Sequence, residues 1–410
     1  KNVATERAML AGVTPGVTHR ESDVTMIPIV DDNLDTTPFV LLQRAMEVGC
    51  DDDTEHAMAA ALLAAGEYMA KKEMRLPPRN TKCSTSRPVD PGSREEAMNG
   101  AFRLNWLVAE GEELKALLDN NTWELVWAPD GAAIVKSGWV YKVKHDEDGN
   151  VERFKARFVA KGYSQKYGVD FRETFAPVVK SVTLRTVLAV ALSLGWVAAQ
   201  YDIKNAYLNG DLEEEIYMKP PEGIDAGGRV CKLLKTLYGL RQSGRGWNKA
   251  FHRKLTEWGY VRSEVDRCLY RMFDDEGKLV QTVCVWVDDC LVFSADDATL
   301  ERFKSNVSTA YKFSGGELKH FVGLKFEYDE KSRIAYVSQQ AYIEKMCETF
   351  NMTDAADVQD TPAEPGLKLN SEQCPRTEEE RRCMLTRPYR SLVGALRFIA
   401  DFTRPDIASA

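Results

Sequence analysis

The sequence predicts an α+β fold. Short β-rich runs come in pairs separated by polar segments of turn length, the pattern of antiparallel hairpins. Stretches with apolar residues at helical spacing lie between those pairs. The two kinds of segment do not alternate as β-α-β-α, which argues against a doubly wound parallel sheet. A chain of 410 residues has room for two to four domains and a large core.

Taken in order, Leu104–Leu118 reads as a helix, and Gly138–Val143 and Arg153–Ala160 as two strands joined by a turn at Asp146-Glu-Asp-Gly-Asn. A helix over Lys180–Gly195 enters a strand at Trp196–Ile203. Gly244–Gly259 places Trp247, Phe251, Leu255 and Trp258 on one helical face and Lys249 and Arg253 on the other. Gln281–Val287 and Cys290–Ser294 form a hairpin whose tip is Asp288-Asp289. The next helix points Leu300, Phe303 and Val307 inward, with Ser294 or Asp296 as its cap. Phe321–Tyr328 and Ile334–Ser338 make a further hairpin around Asp329-Glu-Lys-Ser, and helices near Ala341–Phe350 and Tyr389–Ala400 flank a polar, Pro-containing segment.

Residues 1–95 lack sustained periodicity apart from an Ala/Met/Leu-rich stretch, His56–Met74, with helical character. Leu76-Pro-Pro-Arg and Ser86-Arg-Pro-Val-Asp-Pro-Gly read as linker. This region is expected to be a poorly ordered, acidic N-terminal extension. The longest apolar run, Thr186–Ala199, is about 14 residues, short of the ~20 that span a bilayer. It reads as a buried helix, and no membrane partner is expected.

The formal net charge of −8 argues against a polyanionic partner only until the charges are located. Residues 1–70 carry 4 basic and 12 acidic side chains, so the whole −8 belongs there. Gly228–Lys254 holds 8 basic residues (Arg229, Lys232, Lys235, Arg241, Arg245, Lys249, Arg253, Lys254) and no acid. A local basic stripe is the footprint of phosphate binding, and equally that of a solvated helix face. Nine cysteines lie without C-x-x-C pairs, and five histidines fall outside zinc-ligand spacing. That pattern, with no signal peptide, suggests reduced thiols in an intracellular compartment. The initial Lys in place of Met suggests a fragment or processed product.

The chemistry centres on Val285-Trp-Val-Asp-Asp-Cys-Leu-Val292, where two carboxylates interrupt an otherwise apolar strand. Side chains in a straight strand point to alternate faces, so both reach one place only where the backbone turns. Like charges held together are tolerable if a divalent cation neutralises them. A plain polar turn explains the pair as well. Asp202 ends a second apolar strand, Val197–Ile203, where an unpartnered carboxylate is costly. Three Asp on neighbouring strand ends suit hard cations with oxygen ligands, and two such ions serve in-line phosphoryl displacement. From the residues alone this reaches metal-dependent phosphoryl transfer on nucleic acid and does not separate a polymerase from a nuclease.

At these residues the sequence resembles the reverse transcriptase of copia-type LTR retrotransposons, over roughly Trp106–Ile407. The motifs follow one another: Asn121-Thr-Trp-Glu-Leu-Val, Phe154-Lys-Ala-Arg-Phe-Val-Ala-Lys-Gly, Glu173-Thr-Phe-Ala-Pro-Val-Val, Tyr201-Asp-Ile-Lys-Asn-Ala-Tyr-Leu-Asn-Gly, Glu215-Ile-Tyr-Met, Leu237-Tyr-Gly-Leu-Arg-Gln, Val287-Asp-Asp and Thr403-Arg-Pro-Asp-Ile. The resemblance implies a right-hand polymerase of fingers, palm and thumb, with an antiparallel palm sheet bearing the catalytic carboxylates. Fingers and palm would fill 96–315, and 316–410 would hold the primer-grip hairpin, thumb and start of a connection region.

It further implies Asp202, Asp288 and Asp289 as catalytic, with Asp202 and Asp288 as the main ligands of two Mg²⁺ ions, or of Mn²⁺ in their place, the Ile203 carbonyl assisting and Asp289 close by. Lys155 and Arg157 share a strand face and match fingers residues that reach the triphosphate, Arg157 the better match. Tyr207 matches the aromatic that screens the sugar 2′ side, and Tyr238, Gly239 and Arg241 the segment beneath the templating base and nucleotide. Phe321-Val-Gly-Leu resembles the primer grip through Phe321 and Gly323, while Arg245 and Lys249 fall to primer and template. The Trp247/Phe251/Trp258 stripe reads as core packing.

Expected partners are an RNA template, a DNA primer/template, deoxynucleoside triphosphates and a tRNA primer. Integrase and RNase H would come from the same polyprotein but not from this chain, which is expected to show no RNase H activity. Localisation would be intracellular, in a cytoplasmic virus-like particle with access to the nucleus. Three departures from the family pattern are Trp286 for Tyr, Arg241-Gln-Ser-Gly-Arg-Gly-Trp for Lys-Gln-Ala-Pro-Arg-Ala-Trp, and Arg267 for Pro. Two added Gly should loosen the helix start by about 1 kcal/mol each. A catalytically impaired, nucleic-acid-binding remnant of the same fold is the alternative.

Overall fold

The computed structural model of the chain describes residues 88–145, 150–224, 226–352, 361, 366 and 370–408. The acidic extension up to residue 87, with the helix expected at His56–Met74, and most of the turn expected at 146–150 lie outside the described residues.

In chain order the elements are α1 (Arg94–Asn99), α2 (Arg103–Asp119), β1 (Trp123–Val126), β2 (Ile134–Val135), β3 (Ser137–His145), β4 (Val151–Ala160), α3 (Ser181–Leu194), β5 (Val197–Ile203), β6 (Tyr217–Met218), β7 (Val230–Leu233) and α4 (Ser243–Glu257). They continue with β8 (Val261–Arg262), β9 (Leu269–Phe273), β10 (Leu279–Trp286), β11 (Asp289–Ser294), α5 (Asp297–Ala310), β12 (Phe313–Glu317), β13 (His320–Phe321), β14 (Leu324–Asp329), β15 (Ile334–Ser338), α6 (Gln340–Thr349), α7 (Glu378–Leu385) and α8 (Tyr389–Phe402). Helices and mostly antiparallel sheets are mixed, as the sequence predicts.

Two compact units emerge, each built from two separate stretches of chain. One takes the described residues up to Phe175 with Tyr207–Ala250, the other Ala176–Ala206 with Phe251 onward. In the first unit β3 and β4 form a two-stranded antiparallel ladder. Alternation along β4 buries Ala156, Phe158 and Ala160 and turns Lys155 and Arg157 to the other face, as period 2 requires. Helix α2 lies on β4, and Trp106 meets Tyr141 and Phe154 with ring centroids 5.2 and 4.7 Å apart. Phe158, fully buried between Trp123 and Trp139, is a position where truncation to Ala costs about 3–5 kcal/mol. A second sheet runs β1-β7-β6-β2.

The second unit is organised by a six-stranded sheet in the order β12-β5-β11-β10-β9-β8. The central residues of β10 (Gln281–Val285) and all of β11 after Asp289 are buried, with α3 and α5 both against β11. Burial on both faces is why these strands read as continuous apolar runs rather than alternating ones. Helix α3 stops at Gly195, whose φ of +67° closes the helix in the left-handed region. Of the two caps offered for α5, Asp296 is the one used, its carboxylate accepting the Thr299 N–H at 2.7 Å.

Three local expectations change. The hairpin turn is Val287-Asp288 rather than Asp288-Asp289, because Asp289 already pairs with Trp286. The run Phe321–Tyr328 is two strands, not one: Val322 and Gly323 both have positive φ (50° and 73°) and reverse the chain, giving the sheet β13-β14-β15. Within the polar segment before α8, Thr377 and Glu380 form a capping box that starts α7. The start of α4 also differs from expectation. A Cβ on Gly246 would stand 2.7 Å from Thr236 Cγ2 and 3.0 Å from the Asp211 carbonyl oxygen, so this glycine permits a close approach rather than merely loosening the helix.

Candidate active site

Strand β5 carries Asp202 as its penultimate residue and sits between β11 and β12. Register places Asp289 directly opposite Asp202 on one side and Ser314 on the other. Just beyond, the Ile203 N–H donates to the Asp288 carbonyl at 2.9 Å. All three sequence-predicted aspartates are therefore brought to one end of the sheet by backbone pairing alone. The turn that delivers Asp288 holds Val287 at φ +57°, a conformation in which a β-branched residue is strained.

Asp202 is reachable from solvent, its side chain 41% exposed, and the Lys204 ammonium lies 2.5 Å from its Oδ2. The Ser314 hydroxyl donates to the same oxygen at 3.4 Å. Asp289 is half-buried. Burial, then the neighbouring Asp288 and Asp202 charges, push its carboxyl up to about 6, with Lys204 opposing. Like charges are thus crowded here, and the Lys204 ammonium offsets them in part. Neither Lys204 nor Ser314 was singled out from sequence; the Lys two residues after Asp202 was a visible signal, whereas Ser314 needed the β5–β12 register.

Among the described residues no three His, Cys, Asp or Glu side chains already stand together closely enough to grip an ion. The donor set still fits a hard divalent cation: carboxylate oxygens, mutual repulsion that a cation would relieve, and a lysine ammonium on Asp202 where positive charge is wanted.

The nucleotide-binding candidates, with Arg245 and Lys249, belong to the first unit, and Phe321 and Gly323 to the second. Lys155 is half-buried, and burial together with Arg157 and Arg153 lowers the pKa of its ammonium. The outer edge of β4 is closed by the 236–241 segment: the Ala160 N–H donates to the Tyr238 carbonyl at 2.8 Å. Gly239, φ +89°, sits where a Cβ would fall 2.0 Å from the Ala160 oxygen, so only glycine fits. The Arg157 guanidinium lies over the Tyr238 ring, which in turn meets Tyr207. Arg241 is already engaged, donating from Nε to the Gly162 carbonyl at 2.8 Å and lying over Phe171. Gln165 and Gln242, both buried, tie this segment together and were missed by the sequence reading.

The basic stripe needs correcting. Lys235 pairs with Asp211 at 2.8 Å, Lys232 with Glu215 at 2.9 Å, Arg245 with Glu173 at 2.5 Å, and Lys249 with Glu213. The acidic run Asp211–Glu215 folds onto the stripe, so a window with no acid in sequence is partly neutralised in space. The primer-grip candidates separate as well: Phe321 is buried at 2% exposure, while Gly323 forms the turn beside it. Trp247 and Phe251 are buried, as core packing predicts. Among the described residues no helix is long and apolar enough to cross a membrane.

Comparison with known proteins bears directly on this arrangement. The profile of the reverse transcriptase (RNA-dependent DNA polymerase) family matches residues 120–365. The Pol polyprotein of transposon TNT 1-94 from Nicotiana tabacum is 39% identical over 326 residues, covering 78% of this chain and 24% of the relative. That of transposon RE1 from Arabidopsis thaliana is 38% identical over 315 residues, covering 74% and 20%. The chain thus spans a quarter or less of those polyproteins. Looser structural likenesses include a foamy viral protease-reverse transcriptase in complex with double-stranded DNA, at 12% identity and a TM-score of 0.34, covering 93% of this chain and 54% of that one. The family match takes in Asp202, Asp288 and Asp289, and the chain belongs to the reverse transcriptase (RNA-dependent DNA polymerase) family, as a relative of the copia-type transposon Pol polyproteins.

Proposed function

We propose that this chain is the polymerase segment of a copia-type Pol polyprotein and copies RNA and DNA templates into DNA from deoxynucleoside triphosphates. The observation that carries the reading is the register that sets Asp289 opposite Asp202 with Asp288 bonded to the next residue, within a chain of this family. Membership of this family supports a right-hand organisation as part of the same proposal, with fingers and palm over 96–315 and primer grip, thumb and the start of a connection region over 316–410.

Asp202 and Asp288 would hold two Mg²⁺ ions, or Mn²⁺ in their place, with the Ile203 carbonyl and Asp289 alongside. Bound there, such ions lower the pKa of a primer 3′-hydroxyl and neutralise charge on the transferred phosphoryl group. The chain's own residues supply the rest. Lys204 moves its ammonium off Asp202 as that carboxylate takes up a new partner. Arg157 and Lys155 bind the triphosphate from one face of β4, and the Tyr207 ring rejects a ribose 2′-hydroxyl by clash. Gly239 lets its segment pack against Ala160, which holds that backbone in place beneath the nucleotide. Arg245 and Lys249 reach primer or template phosphate by exchanging Glu173 and Glu213 for it, so the binding is salt-dependent. The hairpin at Gly323, backed by Phe321, supports the primer. A tRNA primer, integrase and RNase H from the same polyprotein, and a cytoplasmic virus-like particle with access to the nucleus complete the expected setting.

Primer extension on poly(rA)/oligo(dT) by this chain and by Asp288→Asn tests the proposal. Extension by the unmodified chain, reduced at least ~10³-fold in the variant, is the expected result. Template binding with no extension by either would identify a non-catalytic remnant, and template cleavage without extension a nuclease.

A further inference from the structure

Arg157 and Tyr207 lie fifty residues apart in sequence, the first on strand β4 and the second in the 3₁₀ turn Ala206–Asn209. One side chain touches both. The Arg157 guanidinium carbon is 4.9 Å from the Tyr238 ring centroid, within reach of a cation–π contact. The Tyr207 and Tyr238 rings meet edge to face, with centroids 5.0 Å apart and planes at 70°.

The backbone on either side of Tyr238 leaves that ring little choice of place. Its carbonyl accepts the Ala160 N–H at 2.8 Å, and Gly239 packs so closely on Ala160 that a Cβ would stand 2.0 Å from its carbonyl oxygen. Upstream, the buried Thr236 hydroxyl donates to the Tyr207 carbonyl while its N–H donates to the Gly210 carbonyl at 2.9 Å. One short segment is therefore bonded to the strand that carries the cation and to the turn that carries the gating ring.

We propose that Tyr238 is a positioning residue that couples Arg157 to Tyr207, so that triphosphate affinity and sugar discrimination are set together by the Arg157–Tyr238–Tyr207 stack. The proposal rests on the polymerase reading above and goes beyond it by making one specificity element of what would otherwise be separate contacts. A guanidinium over a ring is restricted to a few rotamers, and a tyrosine ring packed edge-on against a second cannot tilt away from a sugar. Removing the middle ring frees both. Phenylalanine keeps the ring and only loses the hydroxyl, so it preserves the coupling.

The test uses the full chain in single-nucleotide extension on poly(rA)/oligo(dT), with dTTP and UTP as competing substrates, and equilibrium binding of dTTP to the protein–primer–template complex. Tyr238→Leu should raise the KM and Kd for dTTP roughly fivefold and the relative use of UTP by a similar factor, with kcat within about twofold. Tyr238→Phe should restore both properties. Arg157→Lys should cost less in the Tyr238→Leu background than in the unmodified chain, because contacting residues are not additive. Tyr238→Met fills comparable volume without a ring and gives the same comparison if the leucine variant does not fold. Additive effects of the Arg157 and Tyr238 substitutions, a shift in only one of the two properties, or failure of phenylalanine to rescue would overturn the coupling. A wild-type chain that neither extends primers nor binds dTTP overturns the polymerase reading and this inference with it; active wild type with additive variants overturns this inference alone.

Discussion

Each compact unit holds acidic side chains withdrawn from water, and the glutamates of the first unit and the aspartate cluster of the second are built on opposite principles. In the first unit Glu110 is fully buried and Glu113 is 7% exposed. Burial raises the carboxyl pKa of both, yet each has donors: the Tyr141 hydroxyl and the Arg94 guanidinium for Glu110, the Phe158 N–H at 3.3 Å for Glu113. In the second unit burial also raises Asp289, but its neighbours are Asp288 and Asp202, which raise it further. A raised carboxyl pKa alone therefore does not mark a functional site. The company of the carboxylate does: satisfied donors make a structural acid, crowded like charges make a place that wants a cation.

Substituting Asp289→Asn should separate the two sets most sharply. Removing one of three crowded charges relieves repulsion, so the thermal midpoint should stay level or rise, while extension falls about 10²-fold or more and half-saturating Mg²⁺ increases. Thermal unfolding followed by circular dichroism, alongside a Mg²⁺ titration of primer extension, reads both sides. A large loss of stability would mean that Asp289 belongs with the glutamates as a structural acid.

Glu113→Gln makes the converse demand and sets a pH dependence. The Glu113 carboxyl rises from 4.5 to about 7 on folding, so between those values the folded state binds the extra proton. Stability from this group is full below about pH 4.5 and is lost as pH climbs through 7. For a shift of that size the loss is roughly 3 kcal/mol. Glutamine keeps an acceptor for the Phe158 N–H and cannot ionise. The variant should therefore be the more stable protein at pH 8, with a flatter profile from 4.5 to 7 and extension within about threefold of wild type. Urea unfolding at pH 5 and pH 8 checks this, and an unchanged profile would remove Glu113 from the account.

How much of this was legible before the structure depends on whether a feature is local. Asp202, Asp288 and Asp289 stood out because each interrupts or ends an apolar run, and β10 and β11 were recognisable because burial on both faces leaves them no alternation. Long-range pairing was not legible. Only the β5–β11 register shows that Asp289, not Asp288, stands opposite Asp202. The basic stripe looked unopposed because Glu173 and the Asp211–Glu215 run that neutralise it lie outside its window. Phe321–Tyr328 read as one strand because Val322 gives no turn signal, and its φ of +50° is imposed by the paired strands around it.

Val287 offers the finest cut between the two units, because its strain serves position rather than stability. In a two-residue hairpin turn the first residue at positive φ is normally glycine, and Val287 adopts φ +57° next to Asp288. Glycine there relieves a strain of about 1–3 kcal/mol and gives back roughly 0.5–1 kcal/mol through the looser unfolded chain. Val287→Gly should therefore stabilise the protein by about 1 kcal/mol in urea unfolding. Extension should nonetheless fall a few-fold, about 0.5–1 kcal/mol in the barrier, since a more pliant turn no longer fixes the Asp288 backbone, whose carbonyl accepts the Ile203 N–H. A variant that gains stability and keeps full activity would show that the turn's conformation is tolerated rather than used, and the strain would then belong with the structural features of the first unit's core.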